Sequence, residues 1–200
     1  MSNIGKEYES RIMLSNEQYL NIVSFFLNKR INHPFIQNIN IYYDDENLSL
    51  KNNHFTLRVR IINDAYSELT LKEKTPDGDL EYNDQINQKD IDLINKGIFP
   101  NGAVKQRLLA LPYPLSSYRE IARLFNRRLE IKEENYLLVI DKNEYGEITD
   151  YNLEVESSVS VEHANEILEK YTKQFNLIKS KDRYVGKAHR AIDEAIKRRL

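Results

Sequence analysis

EYESR, residues 7–11, places Glu7, Glu9 and Arg11 at every second position. Alternate side chains of a β-strand share one face, so this stretch, read as strand, carries a charged stripe. Four later stretches repeat the pattern. HFTLRVRII (54–62) sets Arg58 and Arg60 against Leu57, Val59 and Ile61, and ELTLKEK (68–74) sets Glu68, Thr70, Lys72 and Lys74 against Leu69 and Leu71. RRLEIK (127–132) opposes Arg128, Glu130 and Lys132 to Leu129 and Ile131, while DYNLEVE (150–156) opposes Asn152, Glu154 and Glu156 to Leu153 and Val155. A half-buried antiparallel strand routinely turns charge to water, which accounts for any one stripe alone. Jointly the five mix the same few residue types, Glu with Arg or Lys, and that repetition points to a shared role.

The chain has 200 residues, of which 30% are charged, yet its formal net charge is only −2. It is therefore unlike a basic nucleic-acid binder, and any anion site must be local. This length suffices to bury a sizeable core, and one domain over residues 1–200 is expected. The absence of cysteine excludes disulfides, thiolate metal sites and cysteine nucleophiles, and fits a reducing compartment. The start turns polar within three residues and reaches a charged stretch by Glu7, so no signal peptide is expected. No window approaches about 18 uninterrupted apolar residues. The expectation is a cytoplasmic protein with no membrane partner and no specific nucleic-acid partner.

Residues 4–14 read as a strand, and Ser15 with Gln18 has the capping-box spacing at the head of a helix over residues 16–30. Tyr19, Leu20, Ile22, Val23, Phe26 and Leu27 give that helix one apolar face. Strands are expected over 38–44, 54–62 and 66–74. The turn TPDGD at 75–79 leads into a fourth, which carries Glu81. QKDIDLINKG predicts a short helix ended by Gly97, GAVKQRLLAL another ended before Pro112, and YREIARLF a third capped by Ser116 or Ser117. RRLEIKE, NYLLVIDKNEY and ITDYNLEVE then return at hairpin spacing, and two closing helices follow. The fold class is α+β, with seven or eight antiparallel strands burying their apolar face under helices. The charged face either lies in water on an open sheet or converges in the polar interior of a barrel or tunnel. Convergence requires water, ligand or metal as partner, because each unpaired buried ion costs several kcal/mol.

Glu7 and Glu9, two apart on a strand, sit about 7 Å apart at Cα, close enough to share one hard cation. Glu154 and Glu156 repeat that geometry. Four carboxylates beside a wall of Arg and Lys meet the needs of a metal-bound polyphosphate: Mg²⁺ or Mn²⁺ takes oxygen ligands, and guanidinium forks grip phosphate oxygens. No glycine-rich phosphate loop appears, which leaves phosphate binding to side chains.

This ordered series resembles the CYTH proteins, or triphosphate tunnel metalloenzymes, which are marked by an N-terminal E-x-E-x-K strand. The resemblance runs from EYESR through LRVR at 57–60, LTLKEK from Leu69, Glu81, Arg128 in RRLEI and LVID ending at Asp141 to LEVE closing on Glu156, nearly the whole chain. It implies a closed eight-stranded antiparallel β-barrel, the triphosphate tunnel, with helices packed outside. Carried over by residue, Glu7, Glu9, Glu154 and Glu156 would be metal ligands or catalytic, water-positioning bases, with Asp141 and Glu81 supporting the metal or its waters. Arg11, Arg58, Arg60, Lys72 and Arg128 would bind phosphates, and Lys181 or Arg183 would match a late basic residue. The motif's lysine is Arg11 here, which keeps the charge but cannot give up a proton.

What the resemblance implies is metal-dependent hydrolysis, with Mg²⁺ or Mn²⁺, of inorganic triphosphate or a small organic or nucleoside triphosphate. Two alternatives stand beside it: a module that binds polyphosphate or a nucleotide without fast turnover, favoured by Arg11, and an adenylyl cyclase.

Overall fold

Ser15 ends one element and begins the next. Its Oγ accepts from the Gln18 N–H at 3.2 Å while Gln18 Oε1 accepts from the Ser15 N–H at 2.8 Å. This reciprocal capping box turns strand β1 (Ser2–Leu14) into helix α1 (Asn16–Lys29) where the sequence predicts it. The structure, a computed structural model, describes residues 2–29, 34–76, 78–178 and 185–198, without the side chains of 2–7 and 29. The chain continues through β2 (Ile36–Asp44), a short α2 (Ser49–Asn52), β3 (Phe55–Ile62), β4 (Tyr66–Thr75), β5 (Gly78–Ile86), α3 (Gln88–Ile94) and α4 (Ala103–Leu109). A 3-10 turn (Leu115–Ser117) precedes β6 (Arg119–Lys132), β7 (Tyr136–Tyr145), β8 (Ile148–Ser157), α5 (Val161–Gln174) and α6 (Lys187–Lys197). Among the described residues this is an eight-stranded antiparallel sheet with six α-helices, an α+β fold, and no helix is long and apolar enough to cross a membrane.

One expectation fails. YREIARLF is not a helix but mostly the first half of β6, and the Ser117 hydroxyl donates to the Pro114 carbonyl at 2.7 Å rather than capping anything. Ile121, Ala122, Leu124 and Phe125 imitate helical spacing. Yet buried Ala122, Leu124 and Asn126 alternate with exposed Arg123, Phe125 and Arg127, the period of two that continues into RRLEIK. Placement in the sheet overrides a local pattern that both structures satisfy. The short α2 escapes the sequence reading because its order comes from two side chains ahead of it. Asp44 accepts from the N–H groups of Leu50 and Lys51, and Asp45 from those of Asn47 and Ser49.

Two compact units make up the chain. The first comprises Met1–Lys6, Asn38–Leu124 and Lys187–Leu200. Its strands pair in the order β5-β4-β3-β2. One face of this sheet contributes Ile41, Tyr43, Leu57, Val59, Leu69 and Leu71 to a core completed by Ile91 and Ile94 of α3 and Val104 and Leu108 of α4. The start of α4 is tied to β5 by buried Asp84, whose carboxylate accepts from the N–H groups of Ala103 (3.0 Å) and Val104 (2.9 Å). The second unit comprises Glu7–Gln37 and Phe125–Gly186. Its strands pair in the order β1-β8-β7-β6. There Ile12, Leu129, Ile131, Leu138, Ile140, Leu153 and Val155 pack against Ile22 and Phe26 of α1 and Leu168 and Tyr171 of α5. Each such side chain taken fully from water is worth roughly 1.5–3 kcal/mol. In both units, then, helices cover the apolar face and the charged stripes occupy the other.

Candidate functional site

Because Leu57, Val59, Leu69 and Leu71 face the helices, the pleat turns Arg58, Arg60, Thr70 and Lys72 to the opposite face of the first unit. The register sets Arg60 opposite Glu68 and Lys72 opposite Glu81. Lys72 Nζ lies 3.2 Å from Asp79 and 3.1 Å from Glu81. Arg60 donates through Nε to Asn40 Oδ1 at 3.1 Å, and its Nη1 lies 3.4 Å from Glu68. Thr70 donates to Asn83 at 2.7 Å. The buried Nε of Arg58 has no hydrogen-bond partner among the described residues. A cationic donor left in that state is a standing demand for an acceptor. Burial works to raise the pKa of Glu81, but the nearby cations, Lys72 foremost, then Arg58 and Arg60, outweigh it and hold the carboxyl at about 2. Glu81 is thus ionised at neutral pH, and the acid it presents is a counter-charge for these cations.

The second unit presents a different balance. Its register sets Glu9 opposite Glu156, Arg11 opposite Glu154, Arg128 opposite Asp141, and Asp141 opposite Asn152. Arg128, only 6% exposed, forks onto Asp141 through Nε (2.9 Å) and Nη2 (3.0 Å). Its Nη1 lies 3.5 Å from Glu130 and 3.6 Å from Glu156, and its Nη2 3.7 Å from Glu154. Burial alone would favour loss of the proton, but Asp141, Glu156 and Glu154 hold the guanidinium charged well above its ordinary range. Arg11 pairs with Glu9 and lies 3.6 Å from Glu154, which is 2% exposed. Glu9, Glu130, Asp141, Glu154 and Glu156 therefore share two guanidiniums, an excess of negative charge on a largely buried face.

The expected residues thus fall into two groups. Arg58, Arg60, Lys72 and Glu81 share one face of the first unit, and Glu9, Arg11, Arg128, Asp141, Glu154 and Glu156 share one face of the second. Asp141 and Glu81, expected to support a metal or its waters, each engage a cation directly. Glu7 lies on β1 with its side chain outside the described residues, as do Lys181 and Arg183 altogether. The metal-ligand candidates on the second unit, Glu9, Glu154 and Glu156, are carboxylates, the chemistry that Mg²⁺ and Mn²⁺ take. Among the described residues no three carboxylates or imidazoles converge to hold a metal ion.

The sequence reading puts Asn152 on a charged stripe but misses Asn126 and Asn143 and the ladder of buried amides that the three form. Asn126, Asn143 and Asn152 lie on the charged face of the second unit, hydrogen-bonded to one another across β6, β7 and β8. Their signal was present: each stands two residues from a stripe charge, Asn126 before Arg128, Asn143 after Asp141 and Asn152 before Glu154.

The chain is similar to known proteins. Residues 5–184 match the CYTH domain. The chain is 30% identical over 171 residues to YjbK of Bacillus subtilis (strain 168), described as a candidate triphosphatase, covering 86% of this chain and 87% of that one. It is similar to the crystal structure of a candidate adenylate cyclase from Bacillus halodurans, with 28% identity, a TM-score of 0.84, and coverage of 94% of this chain and 97% of that one. It also shares its fold with a Hippeastrum protein described as a candidate adenylyl cyclase with a dominant triphosphatase activity. The identity there is 19% and the TM-score 0.74, with coverage of 97% of this chain and 96% of that one.

Proposed function

This chain belongs to the CYTH domain family, and from that premise we propose that it is a metal-dependent triphosphatase acting on inorganic triphosphate or a small organic triphosphate. In this reading residues 1–200 are one domain whose eight strands close into a tunnel. The observation that carries it is the division of charge. One face has an excess of carboxylates, and the other has a row of cations in which the buried Nε of Arg58 lacks a hydrogen-bond partner among the described residues. Hydrolysis of a polyanion through a hard cation uses both.

In this reading Glu9, Glu154 and Glu156, with Glu7, would hold Mg²⁺ or Mn²⁺. The bound cation would withdraw charge from the phosphate oxygens and ease attack by water. Arg58, Arg60 and Lys72 bind phosphate oxygens; Glu68 keeps Arg60 aimed, and Asp79 and Glu81 keep Lys72 aimed. Arg128 and Arg11 contribute further donors, and a glutamate of the acidic face orients the attacking water. Phosphoryl transfer is mainly positioning and charge compensation, so a fixed array of side chains is sufficient apparatus. The similarity to YjbK supports the activity.

The test is phosphate release from a panel of inorganic and organic triphosphates, with Mg²⁺, with Mn²⁺ and with chelator. Turnover that needs metal and is lost in Glu9→Gln is expected; no release from any of them would sink the reading. A second reading, a polyphosphate- or nucleotide-binding module, is favoured by Arg11 and its two glutamate partners, and it predicts tight triphosphate binding without turnover. Cyclic AMP formation from ATP tests the cyclase alternative suggested by the similarity to the Bacillus halodurans protein.

A further inference from the structure

The amide ladder of the second unit has a direction. Asn126 Nδ2 donates to Asn143 Oδ1 at 3.0 Å, and Asn143 Nδ2 donates both to Asn152 Oδ1 at 2.8 Å and to Asp150 Oδ1 at 3.0 Å. Asn152 Nδ2 donates to Asp141 Oδ2 at 3.4 Å, the same oxygen that receives Arg128 Nη2. Tyr145 donates its hydroxyl to the other oxygen of Asp150 at 2.5 Å. Ionised carboxylates only accept, so Asp141 requires the NH₂ end of Asn152, and Asp150 requires that of Asn143. Two acids therefore set the orientation of the whole series. Asn143 and Asn152 have no exposure to water, and Asn126 has 5%, so a reversed amide could not be satisfied by solvent.

We propose that Asn126, Asn143 and Asn152 form a positioning relay for Arg128, with Asn152 as the residue that acts on it through Asp141. The terminal torsion of an aspartate is broad and roughly two-fold, so a carboxylate held by one guanidinium can rock with it. The bond from Asn152 fixes the carboxylate plane, and the fork then fixes the guanidinium, leaving Nη1 aimed along the charged face toward Glu130 and Glu156. Neutral amides suit this task on a face already burdened with carboxylates, because another cation would compete with Arg128 for them and another anion would deepen the repulsion. The inference rests on the reading of Arg128 as a phosphate ligand and adds the residues that aim it.

The experiment combines kinetics with the Nε–Hε signal of Arg128 in protein labelled with ¹⁵N-arginine, assigned by its loss in Arg128→Lys. Asn152→Leu keeps the branched side-chain skeleton, in a larger volume, and removes both hydrogen bonds. The expected result is a broadened Arg128 signal, a KM for inorganic triphosphate with Mg²⁺ raised about tenfold, and a kcat within about twofold of the parent. Should Asn152→Leu not fold, Asn126→Asp at the far end of the relay takes its place. It sets an acceptor against Asn143 Oδ1 and should produce the same changes at smaller size. A lowered melting temperature with the Arg128 signal and KM unchanged would make the amides structural only and overturn the proposal. If the parent neither binds nor hydrolyses triphosphate, the triphosphatase reading falls, and the Arg128 signal alone then decides the relay: unchanged in the variant, it overturns it.

Discussion

Arg11 stands where the CYTH strand motif has a lysine, and its guanidinium is already engaged by Glu9 and Glu154. Arg58 is its opposite, a buried donor whose Nε awaits an acceptor among the described residues. The two should respond differently to substitution. Arg58→Ala is expected to weaken triphosphate binding by about 2 kcal/mol, roughly thirtyfold, as a lost charge-assisted hydrogen bond. Arg11→Lys keeps its charge and should change affinity by less than about threefold. Titration calorimetry separates them, and equal losses would show that Arg11 makes a two-pronged contact with substrate. Glu81 supplies a pH test. Its folded pKa of about 2 lies below the unfolded value near 4.5, so its contribution is fully present above about pH 4.5 and disappears as pH falls toward 2. Glu81→Gln should therefore cost up to about 3 kcal/mol at pH 7. Denaturant titrations of parent and variant should converge near pH 2, and a gap that persists there would mean that the loss is packing rather than charge.

At the level of elements, the sequence was legible where one signal acts alone. The capping box at Ser15 and Gln18, the stripes, and Gly97 past the end of α3, at φ 77°, each appear where residue chemistry placed them. YREIARLF was not legible, because apolar residues at 121, 122, 124 and 125 fit a helix and a strand alike, and only the sheet decides between them. Site residues on the stripes were found for the same reason that the strands were. Asn152 was legible as a stripe residue, but the amide relay was not, because its partners lie on neighbouring strands rather than nearby in sequence. Gly102 shows a further tertiary demand that composition hides. Its backbone is extended, so no left-handed conformation requires glycine, yet an added Cβ would overlap the carboxylate of Asp84. That carboxylate is buried and holds the first turn of α4 by two N–H groups, so it cannot swing aside without leaving them unsatisfied. Gly102→Ala is expected to destabilise the protein by about 1–3 kcal/mol, measured as a lower denaturant midpoint. Asp84→Asn should cost a comparable amount by weakening the same two bonds, and an unchanged midpoint in Gly102→Ala would show that α4 shifts freely.

For the molecule as a whole, a formal net charge of −2 conceals faces of very different character, and its stability should register what binds them. Glu156 lies opposite Glu9 in register and on the same strand face as Glu154. Two guanidiniums do not balance the carboxylates of this face, which repel when no metal ion is bound, so Glu156→Gln should leave the metal-free protein as stable as the parent or more stable, by up to about 1 kcal/mol. Ligand binding to the folded state alone adds RT ln(1 + [L]/Kd), about 2.7 kcal/mol at a hundredfold excess over Kd. For a chain of this size that corresponds to a melting-temperature rise of about 5–10 °C. Mg²⁺ or Mn²⁺ with inorganic triphosphate should give that rise in the parent, and chelator should abolish it together with turnover. Glu156→Gln should begin at the same or a higher melting temperature and rise far less. Arg58→Ala should respond to metal alone as the parent does, yet gain little from added triphosphate, because it alters the phosphate side only. If both variants instead lost the metal response equally, cation and phosphate would share one set of ligands, and the assignment of separate tasks to the two faces would be wrong.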